Sequence, residues 1–233
     1  MTVPGEGAET AAGAGKGLPW STDGMAPGER VRRAAVLLAG LAQDGLTFAA
    51  NDYEADRYRS VAGLAAELLA AVSGREADEL AVELGRDSGY ATPKVDVRGA
   101  CFDADERVML MRERADGLWS LPGGWADPGD TPGSAVVREL REETGVVAEV
   151  EKLVGCWDRD ARGHVPPLPV AVVKLFFLCR VLETGEPDPL ETLGAGWFAL
   201  DALPPLSTGR VTEDELRRCL AHHRDPSLPT ELD

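Results

Sequence analysis

One run of the chain restricts the fold more than any other. Pro122-Gly123-Gly124 leads to Thr131-Pro132, then to Arg138-Glu139-Leu140-Arg141-Glu142-Glu143, and Gly145 closes the run. Thr131 is a natural N-cap, and proline is preorganised for the first helical position. Glycine at 145 supplies the left-handed residue that commonly ends a helix. The run predicts a helix over 132–144, entered from a glycine-rich loop. On that helix Glu142 and Glu143 follow Glu139 by three and four residues, so the three carboxylates share one face within a turn. Ala135, Val136, Leu140 and Val147 are offered for packing on the opposite side.

Acidic runs on helices are usually solvated faces. A solvated face needs no double glycine ahead of it and no cap at each end. Clustered carboxylate oxygens suit a hard cation: Mg2+ takes oxygen ligands and keeps waters while it binds substrate phosphates, and Mn2+ accepts similar ligands. A metal held there neutralises a diphosphate and acidifies a water for attack on phosphorus. The paired glycines let the backbone approach closely and offer a carbonyl.

The rest of the chain divides around this run. Residues 1–27 are rich in Gly, Ala, Pro and Thr, with few large apolar side chains. Such a segment cannot offset its conformational entropy, and a disordered tail is expected. Residues 28–90 carry helical periodicity: a first helix over about 29–42 stopped at Asp44-Gly45, a second over about 52–72 stopped at Ser73-Gly74, and a shorter one over 76–84. A helical unit this small needs a partner surface. From residue 91 the pattern turns to strands. Val95–Phe102 and Arg107–Met111 are expected to form a hairpin through Asp103-Ala104-Asp105, with later strands at 146–157, 170–181 and 196–199 and a last helix over 212–222. The class is α+β, a mixed sheet with helices packed on it.

Composition removes several functions. With 40 acidic against 24 basic residues the formal net charge is −16, which argues against general nucleic-acid binding. No apolar stretch is long enough to span a bilayer and the start does not resemble a signal peptide. Cys101, Cys156, Cys179 and Cys219 are scattered with no Cys-x-x-Cys pair, so a zinc ribbon or dithiol site is not expected and reduced thiols in a cytoplasmic protein are.

The stretch Gly124–Val146 resembles the Nudix box, G-x5-E-x7-R-E-U-x-E-E-x-G-U with U aliphatic. Asp130 stands where the pattern has its first glutamate, and every other defined position matches. The resemblance implies the α/β/α sandwich of that family and hydrolysis of a nucleoside diphosphate linked to another moiety. It implies metal on Glu139, Glu142 and Glu143 and on a carbonyl of Gly123 or Gly124, with Arg138 orienting the carboxylates. One of the Arg138 ion pairs would reach Asp130, and the shorter side chain implies a longer or water-bridged contact. Leu41–Phe48, Asp52-Tyr53, Lys174–Cys179, Leu203–Ser207 and His222–Pro226 are similar to a Nudix subgroup with an N-terminal helical domain that supports a homodimer. Its members act on CDP-choline or CDP-ethanolamine, or carry the label ADP-ribose pyrophosphatase. The proline that ADP-ribose hydrolases of the superfamily tend to carry at about Ala161, and the tyrosine that dinucleoside polyphosphate hydrolases tend to carry near Arg162–His164, are both absent, which leaves the CDP-alcohol reading slightly ahead. The alternative is a Nudix-fold sensor that binds such a ligand without catalysis.

Secondary candidates surround the box. Arg112 and Arg114 follow the second strand and could hold phosphate oxygens, or pair with Glu113 or Asp116. Lys174 interrupts an apolar strand and requires a partner or ligand, unless it snorkels to the surface. Trp119 is read as core, His164 as an exposed loop residue, His222 and His223 as surface residues, and Glu191 as a conceivable base or extra ligand.

Overall fold

The computed structural model describes residues 24–233. The expected disordered tail lies outside the described residues except for 24–27, and Pro27 already opens a helix. Helices α1 (Pro27–Phe48), α2 (Asp52–Ser73) and α3 (Ala77–Leu84) come first. They pack through Ala35, Ala66, Leu69 and Leu80. Asn51 caps α2 by accepting from the Glu54 N–H, and Gly74, at φ 72°, ends it. Helix α1 runs through the expected stop at Asp44-Gly45. Gly45 serves a contact instead: a Cβ there would overlap the Tyr58 ring of α2, so the glycine lets two helices approach and does not break one.

The strands are β1 (Lys94–Ala100), β2 (Val108–Glu113), β3 (Trp119–Ser120), β4 (Val146–Asp158), β5 (Val172–Thr184), β6 (Thr192–Phe198) and β7 (Glu231–Leu232), with α4 (Pro132–Thr144) and α5 (Glu213–Arg224) between them. They form a mixed four-stranded sheet, β1-β5-β4-β7, and a three-stranded sheet, β3-β2-β6. The expected hairpin of the first two strands does not form. β1 runs parallel to β5 in one sheet while β2 pairs antiparallel with β3 and β6 in the other. A single bridge, Phe102 to Val108, joins them at the turn. Local pattern showed two strands and a turn but could not show that the chain changes sheets there.

Helix α4 packs on one side through Ala135, Val136 and Leu140, against Val97, Val146 and Ala148. Val147, expected with that packing set, belongs to β4 and is exposed. Leu216 and Cys219 of α5 close a second core with Val154, Trp157 and Phe176. The observed capping of α4 follows the sequence: Thr131 accepts from the Ser134 N–H, Pro132 stands at the first position and Gly145 at φ 72° ends it. The Gly145 carbonyl accepts from the Gly185 N–H at 2.9 Å and the Glu142 carbonyl from the Asp188 N–H at 2.8 Å, tying the β5–β6 loop to the helix end.

A Cβ at Gly145 would lie 2.5 Å from the Gly185 carbonyl carbon, and its φ disfavours any other residue. Gly145→Ala is expected to lower the unfolding free energy by about 2 kcal/mol or more. Urea titration of variant and parent measures the loss.

Candidate active site

The site begins on the outer edge of β1. Residues 122–126 lie along that edge through three backbone bonds: Gly99 N–H to the Pro122 carbonyl (2.9 Å), Val97 N–H to the Gly124 carbonyl (2.8 Å) and Ala126 N–H to the Val95 carbonyl (3.0 Å). Gly123 has φ 142°, and a Cβ there would overlap the Val97 carbonyl oxygen. Only glycine permits this contact. Gly124 faces α4, where a Cβ would stand 3.2 Å from a Glu139 carboxylate oxygen. The Gly123 N–H donates to Glu143 at 2.7 Å. Two of the three expected carboxylates therefore meet consecutive glycines.

Arg138 organises the others. It donates to Glu139 at 3.0 Å, to Glu142 at 3.1 Å and to Asp130 at 3.0 Å. The Asp130 contact is direct, against the expectation of a longer or bridged one. A turn with Gly129 at φ 101° and the Asp130 N–H on the Asp127 carbonyl carries the shorter side chain in. These bonds, led by Asp130, raise the guanidinium pKa further. Burial pushes Glu139 up, against the pull of Arg138. Glu143 is pushed up to about 8, chiefly by burial and despite the Gly123 N–H and the nearby Arg98. Among the described residues Glu143 has no ion-pair partner.

Beneath the glycine loop lies a buried charge network that sequence reading missed. Arg98 grips Asp96 at two points (3.0 and 2.7 Å) and donates to the Leu121 carbonyl at 3.1 Å. Lys174 donates to Asp96 at 2.6 Å. All three are at most 5% exposed. Burial opposes the Asp96 charge, yet Arg98 and Lys174 together hold its pKa below the usual carboxylate range. Burial lowers Lys174 to about 8, with Asp96 opposing. The alternation Val95-Asp96-Val97-Arg98 reads as a half-solvated strand. The available signal was Lys174, a charge in an apolar strand of the same sheet that needed a buried partner.

Arg112 is exposed and donates from Nε to the Gly117 carbonyl at 2.8 Å. Arg114 donates to the Pro189 carbonyl at 2.9 Å. Neither pairs with Glu113 or Asp116, which Arg210 takes at 2.9 and 3.2 Å. Lys174 does not snorkel. Trp119 packs edge-on to Phe198. Two histidine expectations are corrected. His164 is buried, 3.0 Å from the Thr208 carbonyl and 2.8 Å from Glu215, because its loop folds under α5. His222 is 1% exposed against the C-terminal strand, while His223 stacks on Phe102. Cys101, Cys179 and Cys219 are buried free thiols, Cys101 pushed up to about 12 by burial.

The donor set fits a hard divalent cation. Glu139 and Glu143 are oxygen donors whose negative charge is disfavoured by burial, and Arg138 holds Glu139 and Glu142 by charge as a cation would. Among the described residues no three His, Cys, Asp or Glu side chains already stand close enough to enclose an ion. The Gly124 carbonyl is used by Val97, which leaves the Gly123 carbonyl as the freer donor. Among the described residues no helix is long and apolar enough to cross a membrane.

Residues 92–218 match the family model for the NUDIX domain, and residues 29–82 match that for a UDP-X-like, N-terminal oligomerisation domain. YjhB of Bacillus subtilis, whose name gives ADP-ribose pyrophosphatase as a provisional activity, is 36% identical over 88% of this chain and 96% of its own. The crystal structure of a UDP-X diphosphatase is 29% identical with a TM-score of 0.56, covering 88% of this chain and 99% of that one. An ADP-ribose pyrophosphatase from Streptococcus suis is 39% identical with a TM-score of 0.55, covering 61% of this chain and all of that one.

Removing Asp96 would leave two buried cations without a counterion, a loss of about 3–5 kcal/mol. Asp96→Asn is expected to show that drop in denaturant unfolding. A change below about 1 kcal/mol would mean that the network is not the support described.

Proposed function

The chain belongs to the Nudix hydrolase family, and from that premise we propose that it cleaves the diphosphate link of a nucleoside diphosphate joined to a second moiety. The products are a nucleoside monophosphate and the phosphorylated second moiety. The convergence of Glu139 and Glu143 on Gly123 and Gly124 carries this reading. Glu139, Glu142, Glu143 and the Gly123 carbonyl would hold Mg2+, or Mn2+ in its place. When bound, the cation supplies charge neutralisation of the diphosphate and an acidified water.

The chain's own residues prepare the site. Arg138 keeps Glu139 and Glu142 on one face of α4 and is itself anchored by Asp130. The Gly123 N–H fixes the rotamer of Glu143. Arg98 anchors the Leu121 carbonyl just before the glycines, so the loop is preorganised rather than ordered by substrate. Arg112 is exposed with its terminal nitrogens free among the described residues, and it is the phosphate-binding arginine of this reading. Arg114 braces the β5–β6 loop, and Lys174 acts through Asp96.

The names of the relatives favour ADP-ribose or a UDP-linked compound as substrate, and CDP-choline and CDP-ethanolamine belong on the same panel. The helical region presents Leu41, Phe48, Tyr53, Leu64 and Val82 to solvent, an apolar surface that suits a homodimer. The scattered free thiols suit the cytoplasm.

A hydrolysis screen over ADP-ribose, UDP-linked sugars, CDP-choline, CDP-ethanolamine, NADH and nucleoside triphosphates tests the activity. Turnover should require Mg2+ or Mn2+ and stop with chelator. Glu142→Gln and Glu143→Gln should each lose at least about 100-fold in kcat. Tight ligand binding without turnover on any substrate would make the protein a sensor.

A further inference from the structure

We propose that the cleft between the helical region and β1 receives the nucleobase of the substrate, stacked on Trp125. The proposal rests on the nucleoside diphosphate reading above. The cleft holds about 800 Å3, within the range of small-molecule sites. Leu37 of α1, Tyr90 after α3, and Trp125 in the strand-like edge beside β1 are among its walls.

Its position relative to the carboxylates follows from the backbone. Residues 122–126 lie extended along β1, so successive side chains face opposite ways. Gly124 faces Glu139 and α4, while Trp125, bridged to Asp96, faces the cleft. One peptide unit, about 3.8 Å from Cα to Cα, separates the residue against the carboxylates from the residue in the cleft wall. None of Gly123, Gly124, Glu139, Glu142 or Glu143 lines the cleft, so a ligand with its diphosphate at the glycines passes over this edge to set its base against Trp125.

The chemistry of the walls selects the ring. Trp125 is 50% exposed and Tyr90 69% exposed, large aromatic faces left in water beside a candidate site. The charged wall residues are largely engaged, Arg33 by Glu29, Lys94 by Asp87, Asp160 by Arg32 and Asp44 by the Ala91 N–H, and among the described residues Arg86 is the wall cation whose side chain has no partner. A pocket with aromatic faces and few unspent charges favours a neutral, planar heteroaromatic ring over a phosphate or an ammonium group. Stacking of a base on an aromatic side chain tolerates any base, so this surface binds the nucleoside without fixing which one.

The test uses the full-length protein. AMP, CMP and UMP are titrated into the parent, Trp125→Ala and Trp125→Phe by calorimetry and by tryptophan fluorescence, with ribose 5-phosphate as the control lacking a base. The monophosphates should bind the parent and quench its fluorescence. Trp125→Ala should weaken them roughly five- to hundredfold, the range for one lost base–aromatic stack. Trp125→Phe should keep most of the affinity and lose the quenching, and ribose 5-phosphate should not respond to either change. On a hydrolysed substrate Trp125→Ala should raise KM and leave kcat within about twofold. Unchanged monophosphate affinity in Trp125→Ala overturns the proposal, as does an equal loss for ribose 5-phosphate. A Trp125→Ala protein that falls to monomer with nucleotide affinity intact also overturns it, in favour of a subunit contact. Trp125-dependent nucleotide binding by a parent that hydrolyses nothing would instead refute the hydrolase reading and leave the cleft assignment standing.

Discussion

The free edge of β1 is the constraint on which the site depends. Three backbone hydrogen bonds attach residues 122–126 to it, and the contact of Gly123 with the Val97 carbonyl leaves no room for a side chain. That attachment brings the Gly123 N–H to Glu143 and sets Gly124 against Glu139. β1 in turn is fixed on both faces. Gly99 lies under α4, where a Cβ would come within 2.9 Å of Val136 and Leu140, and Arg98 and Asp96 lock the other face to the Leu121 carbonyl and to Lys174. Helix, glycine loop and strand edge thus form one mechanical unit, and the carboxylates inherit its rigidity.

Electrostatics explains how a chain of net charge −16 can serve an anionic substrate. The acidic excess is global, whereas the site balances charge locally. Arg138 answers three carboxylates at about 3 Å. Arg98 and Lys174 place two cations on one buried Asp96. Burial nevertheless raises Glu139 and Glu143, so the carboxylates keep an unmet demand for positive charge. Under the proposed function a divalent cation would meet that demand, and a diphosphate would then find positive charge at the glycines.

The parts legible in the sequence are those that local chemistry determines. Thr131, Pro132 and Gly145 bound α4 because capping depends on a few adjacent residues, and the shared face of Glu139, Glu142 and Glu143 follows from helical spacing alone. Features set by distant contacts were misread. Gly45 looked like a stop because nothing local reveals Tyr58 lying against it. β1 and β2 looked like a hairpin because a turn flanked by strands does not say which sheet each strand joins. His164 looked exposed because Glu215, its partner, is 51 residues away. Asp96 and Arg98 were passed over because alternating polar positions in a strand ordinarily face water.

The proposed function requires the carboxylates of α4 and the glycine loop to form a divalent-metal site. Binding of Mn2+, followed through the loss of the free-ion signal in electron paramagnetic resonance, tests it without any substrate. The parent should bind saturably and Glu139→Gln at least about tenfold more weakly, with the folded state intact by circular dichroism. Equal Mn2+ affinity in the parent and a folded Glu139→Gln would contradict it.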